Sequence, residues 1–138
     1  MKNTLLWLDD VRNPNERIWM DWMIENEINP FHYEIVWVKN YIDFTNWIKE
    51  NGFPSYLCFD HDLGQDEADM KVKMGMSKRQ SRKEKKGIKD GMDCAHFVVN
   101  YSMDNDLDLP KWAIQSANPV GAENIKGLLT GYTKFRKG

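Results

Sequence analysis

Leu5-Leu6-Trp7-Leu8-Asp9-Asp10 and Tyr56-Leu57-Cys58-Phe59-Asp60-His61-Asp62 decide the reading of this chain. Each is a short apolar run that ends in acids. A run of this length reads as a buried strand, and the residues after it lie at the strand's carboxyl end. In an open parallel sheet that edge is where ligands bind. Carboxylates gathered there repel one another unless a cation or shared protons relieve them.

Working outward, strands are expected over about 4–8, 34–38, 55–60 and 112–115. Helices are expected between and after them. Trp19, Met20, Trp22 and Met23 give the segment 16–27 an apolar face at helical spacing. Tyr41, Phe44, Trp47 and Ile48 do the same for a second helix that stops at Asn51-Gly52. Asp90 opens a third, with Ala95, Val98, Val99 and Met103 turned inward. Asn118-Pro119 reads as an N-cap and a first-turn proline, starting a last helix that carries Ile125, Leu128 and Leu129 and ends near Gly131. Strand-helix alternation predicts an α/β fold, a parallel sheet with helices on both faces. The flavodoxin-like order 2-1-3-4 places strands one and three side by side, about 4.8 Å apart. Asp9, Asp10, Asp60 and Asp62 then converge.

Composition bounds the class. The 138 residues suit one domain, and 41% hydrophobic content supports a core. No apolar run approaches the ~20 residues of a membrane span. The first residues lack the long apolar stretch of a signal peptide, and Cys58 and Cys94 read as reduced core residues, so a cytoplasmic location is expected. The net charge of −2 hides a sorting of charge: residues 71–89 hold nine Lys or Arg and one acid, leaving about −10 on the rest. This basic stretch, part of a polar insertion over about 65–89, reads first as a solvated face. It could also track a nucleic-acid backbone, although it has no aromatic residue to stack on bases.

The acidic edge carries the chemistry. Carboxylate oxygens are hard ligands that suit Mg²⁺ or Mn²⁺. Asp9, Asp10 and Asp60 are the expected metal ligands, with Asp62 completing the shell or orienting a water. His61 is the candidate general acid, since histidine titrates near neutrality. Ser116 and Asn118 close the fourth strand on the same edge. Helix capping explains Asn118, and a capped helix start also binds phosphate. Arg12, in the loop after strand one, would clamp a phosphate or form a surface salt bridge. His32 and His96 read as structural.

Four segments resemble the cyclic-phosphate processing receiver-like domains: Leu6-Trp7-Leu8-Asp9-Asp10-Val11-Arg12-Asn13-Pro14, Phe59-Asp60-His61-Asp62-Leu63-Gly64, Gly91-Met92-Asp93-Cys94-Ala95 and Ser116-Ala117-Asn118-Pro119-Val120-Gly121. The resemblance spans nearly the whole chain and implies a receiver-type sheet and the processing of cyclic nucleotides or RNA ends. In ordinary receivers the acid matched by Asp60 accepts a phosphoryl group, and a fifth strand carries a lysine. Here no convincing fifth strand is found, and Lys134 and Lys137 read as a tail. The leading expectation is a metal-dependent phosphoesterase acting on a cyclic phosphate of a small molecule or RNA end. The rivals are a non-catalytic receiver-like domain that sequesters a nucleotide signal or docks a protein, and a phosphorylatable switch.

Overall fold

Successive side chains of each strand point to opposite faces of the sheet, and both faces are buried under helices. The computed structural model describes residues 3–63 and 89–137, and the basic stretch expected over 65–89 lies, but for Lys89, outside the described residues. Strands β1 (Asn3–Leu8), β2 (Tyr33–Val38), β3 (Tyr56–Phe59) and β4 (Lys111–Ile114) form one sheet in the order β2-β1-β3-β4. All three pairings are parallel, with Leu8 opposite Val38 and Phe59, and Phe59 opposite Ile114. This is the expected flavodoxin-like order 2-1-3-4, with the first and third strands side by side.

Leu6, Leu8, Leu57 and Phe59 point to one face. There they meet α2 (Tyr41–Asn51), α3 (Gly91–Asn105) and α4 (Pro119–Lys137) through Phe44, Ile48, Cys94, Val98, Ile125 and Leu129. Leu5, Trp7 and Cys58 point to the other face and meet Met23 of α1 (Arg17–Glu25), with Trp19 and Trp22 packed alongside. A short 3₁₀ turn, Pro30–His32, leads into β2. Caps fix the helix starts: the Asn40 side chain accepts from the Asp43 amide, and Asp90 and Asp93 form a reciprocal capping box. Among the described residues, no helix is long and apolar enough to cross a membrane.

Two expectations need correction. Met103 is half exposed, and its neighbour Ser102 takes the inward position, donating to the Leu107 carbonyl and accepting from the Tyr132 hydroxyl 3.1 Å away. The last helix does not end near Gly131. It continues to Lys137, so Lys134 and Lys137 are helical. Tyr132 packs into the core, and Arg136 bridges to Asp108 (2.7 Å) and Asp106 (3.1 Å). These tertiary contacts outweigh a glycine's helix penalty of about 1 kcal/mol.

The core leaves a simple expectation. Phe44 is fully buried with its ring 5.8 Å from that of Phe59. Phe44→Ala should cost about 3–5 kcal/mol in urea unfolding. Substituting the exposed Ile42 by alanine should change stability by no more than about 0.5 kcal/mol.

Candidate functional site

The parallel ladder runs one residue past the strands and levels the site. The Asp9 amide donates to the Val38 carbonyl (3.0 Å), the Asp60 amide to Leu8 (2.9 Å) and the Gln115 amide to Phe59 (2.9 Å). Asp9, Asp60 and Gln115 thus form a row across the carboxyl edge. Gln115 also reaches sideways, its Nε2 donating to the Leu8 carbonyl at 2.9 Å, which ties β4 to β1 over the end of β3. Gln115 Oε1 has no partner among the described residues, although it is buried.

Asp9 is fully buried and Asp60 is 3% exposed, which is unusual for acids. One oxygen from each of Asp9, Asp10 and Asp60 lies within 4.8 Å of the others. That spacing and the all-oxygen donor set fit a hard divalent cation. Asp9 Oδ1 accepts from the amides of Val11 (3.1 Å) and Arg12 (2.9 Å), which curls the loop back over the strand end. Trp7 Nε1 donates to the Arg12 carbonyl (2.9 Å), and Trp37 Nε1 to the Asp9 carbonyl (2.7 Å). Arg12 Nη1 lies 3.2 Å from Asp9 Oδ2 and 3.3 Å from Asp60 Oδ2. Its side chain is only 21% exposed, so this is a largely enclosed bridge rather than a surface salt bridge. Burial, reinforced by Asp9, pushes the Asp60 carboxyl up to about 7, and Arg12 pulls against that rise.

Asp62 does not join the three-acid cluster. It turns to His61, whose Nδ1 is 2.8 Å from Asp62 Oδ1, and the same oxygen accepts from Asn118 Nδ2 at 3.3 Å. Asn118 Oδ1 accepts from the Gly121 amide (3.0 Å), and Ser116 Oγ accepts from the Asn118 amide (3.1 Å). The N-terminus of α4 is thereby bound to the His61 group. Pro119 brings no N–H, and the Gly121 amide is already used, so α4 offers less to a phosphate than an uncapped helix would.

Three residues next to this group were not singled out from sequence as site residues. Asp90 Oδ2 lies 3.6 Å from His61 Nε2. Gly91 donates its amide to the His61 carbonyl at 2.7 Å, and a Cβ there would stand 1.9 Å from the Asp60 carbonyl. A Cβ on Gly121 would lie 2.3 Å from His61 Cγ. Glycine at 91 and 121 lets α3 and α4 approach the His61 segment. Position in the Gly91-Met92-Asp93 and Asn118-Pro119-Val120-Gly121 segments was the available signal. His32 and His96 are exposed and lie outside the site.

A doubly wound parallel sheet with an acidic carboxyl edge defines a receiver-like α/β domain. The family model described as "Cyclic-phosphate processing Receiver domain" matches residues 4–131, and the chain belongs to that family. No curated protein matches the chain. Among solved structures, a fusion carrying the yeast Spc42 trimeric coiled coil is similar at 13% identity with a TM-score of 0.50, covering 99% of this chain and 77% of the other. The signal receiver domain of a Luxo repressor protein from Vibrio parahaemolyticus matches at 16% identity with a TM-score of 0.34, covering 99% and 94%.

The geometry generates two tests. Gly121→Ala should drive the His61 ring from Asp62, displace its NMR resonances and cost about 1–3 kcal/mol. Gly127→Ala, with nothing within 4 Å of the new methyl, should instead stabilise α4 by up to about 1 kcal/mol. The second test concerns Asp60. Its folded value near 7 lies above the ordinary 3.8. Between these values the folded chain holds a proton that the unfolded chain releases, so the Asp60 contribution to stability falls as pH rises from about 4 to about 7. Asp60→Asn removes that loss. In chelator, its urea stability relative to wild type should improve between about pH 5 and about pH 8. A pH-independent difference would contradict the assignment.

Proposed function

We propose that the domain is a metal-dependent phosphoesterase that opens a cyclic phosphodiester on a nucleotide or an RNA end. The observation that carries this reading is the meeting of Asp9, Asp10 and Asp60 at one sheet edge, next in sequence to a histidine held by its own carboxylate. Membership of a cyclic-phosphate processing family supports the substrate class.

Asp9, Asp10 and Asp60 would hold Mg²⁺ or Mn²⁺, which when bound neutralises phosphoryl oxygens and lowers the pKa of a water. His61 and Asp62 act as a unit. Asp62 fixes the imidazole through Nδ1, which leaves Nε2, 3.6 Å from Asp90 Oδ2, as the proton-transfer atom. Hydrolysis consumes one water. Its oxygen joins phosphorus, one ring P–O bond breaks, and His61 protonates the departing ribose oxygen. The attacking water's proton passes to solvent, from which His61 is recharged. Ser116 accepts one hydrogen bond with its Oγ and keeps its O–H to donate to a non-bridging oxygen. Asn118 steadies Asp62 and the start of α4.

The chain should be incubated with 3′,5′- and 2′,3′-cyclic mononucleotides and with RNA ending in a 2′,3′-cyclic phosphate, with and without Mg²⁺ or Mn²⁺. The expected result is a linear phosphomonoester formed only with metal. Asp60→Ala should abolish turnover, and His61→Ala should lower it by about 10²–10⁴-fold. Ligand bound tightly but recovered intact would favour the sequestering domain instead. Turnover unchanged in Asp60→Ala would overturn the mechanism.

A further inference from the structure

Arg12 is placed where the proposed hydrolysis does not need it. One of its nitrogens, Nη1, bridges Asp9 Oδ2 (3.2 Å) and Asp60 Oδ2 (3.3 Å). These are two of the three acids whose oxygens are spaced for a cation. A guanidinium between two carboxylates of adjacent strands offsets the same repulsion that a divalent ion would offset. Two cations sharing one carboxylate pair repel strongly at such short separations. We propose that Arg12 and a divalent ion compete for Asp9 and Asp60, with Arg12 acting as a built-in counter-ion that the metal displaces. This inference rests on reading the acidic cluster as a metal site.

The surroundings of Arg12 suit a side chain that can leave. Its backbone is held independently of the guanidinium: the amide donates to Asp9 Oδ1, and the carbonyl accepts from Trp7 Nε1. The loop therefore keeps its anchors when the side chain moves. The guanidinium carbon also lies 5.3 Å from the centroid of the Trp19 ring, within cation–π range. Trp19 is thus an uncharged partner already in contact and a natural reporter. Two consequences follow. The site binds metal less tightly than three acids alone would, and the folded chain tolerates two buried acids because a positive charge is always at hand.

The test uses the full chain as wild type, Arg12→Gln and Arg12→Lys, titrated with Mg²⁺ and with Mn²⁺ by calorimetry. Melting is followed in chelator and in metal. Arg12→Gln should bind metal at least about tenfold more tightly than wild type, because a competing charge is gone. It should also melt lower in chelator and gain more from metal. Arg12→Lys, which keeps the charge, should bind within about threefold of wild type. In the wild-type chain, metal should change the tryptophan emission, and Trp19→Phe should remove most of that change. This readout stands even if Arg12→Gln does not fold.

Equal or weaker metal binding by Arg12→Gln would overturn the competition while leaving the metal site intact. A metal-induced emission change unaffected by Trp19→Phe would also overturn it. Absence of metal binding by every variant would overturn the competition and the metal-site reading together.

Discussion

The parallel pairing of β1 with β3 is the constraint on which the site depends. Leu8 lies opposite Phe59, and the Asp60 amide extends the ladder by donating to the Leu8 carbonyl. The next residues, Asp9 and Asp60, therefore stand side by side, nearly excluded from water. Burial penalises each charge and proximity penalises the pair. This arrangement is relieved by the proton that Asp60 keeps up to about pH 7 and by a positive charge at the same edge. Arg12 supplies one, and a divalent ion would supply a stronger one.

The site has two parts with different supports. The three acids hang on the strand ends and on the loop that Asp9 closes through the Val11 and Arg12 amides. His61 hangs on the helices. Its carbonyl receives the Gly91 amide, its ring sits where a Cβ on Gly121 would be, and its partner Asp62 is tied to the cap of α4. Strand pairing thus gathers the charge, while close helix approach orients the imidazole. Burial and hydrogen bonding hold both parts in place within the fold.

Much of this was legible because the deciding signals are local. Apolar runs followed by acids placed Asp9 and Asp60 at strand ends, and the strand-helix alternation supplied the order β2-β1-β3-β4. The Asn118 cap was legible from Asn-Pro alone. What was missed depends on distant partners. Gly131 looks like a helix end until Tyr132 is seen bonded to Ser102 and Arg136 to the residues before β4. Asp62 looks like a fourth member of the cluster until its bonds to His61 and Asn118 turn it away. The bridging place of Arg12 and the steric need for Gly91 are contacts across the fold, and no spacing along the chain encodes them.

The central claim is that a divalent ion sits among Asp9, Asp10 and Asp60. Anomalous scattering from a Mn²⁺-soaked crystal tests it most directly. The account predicts one strong peak within bonding distance, about 2.0–2.4 Å, of oxygens from all three residues. A peak elsewhere, or none at saturating manganese, would contradict it.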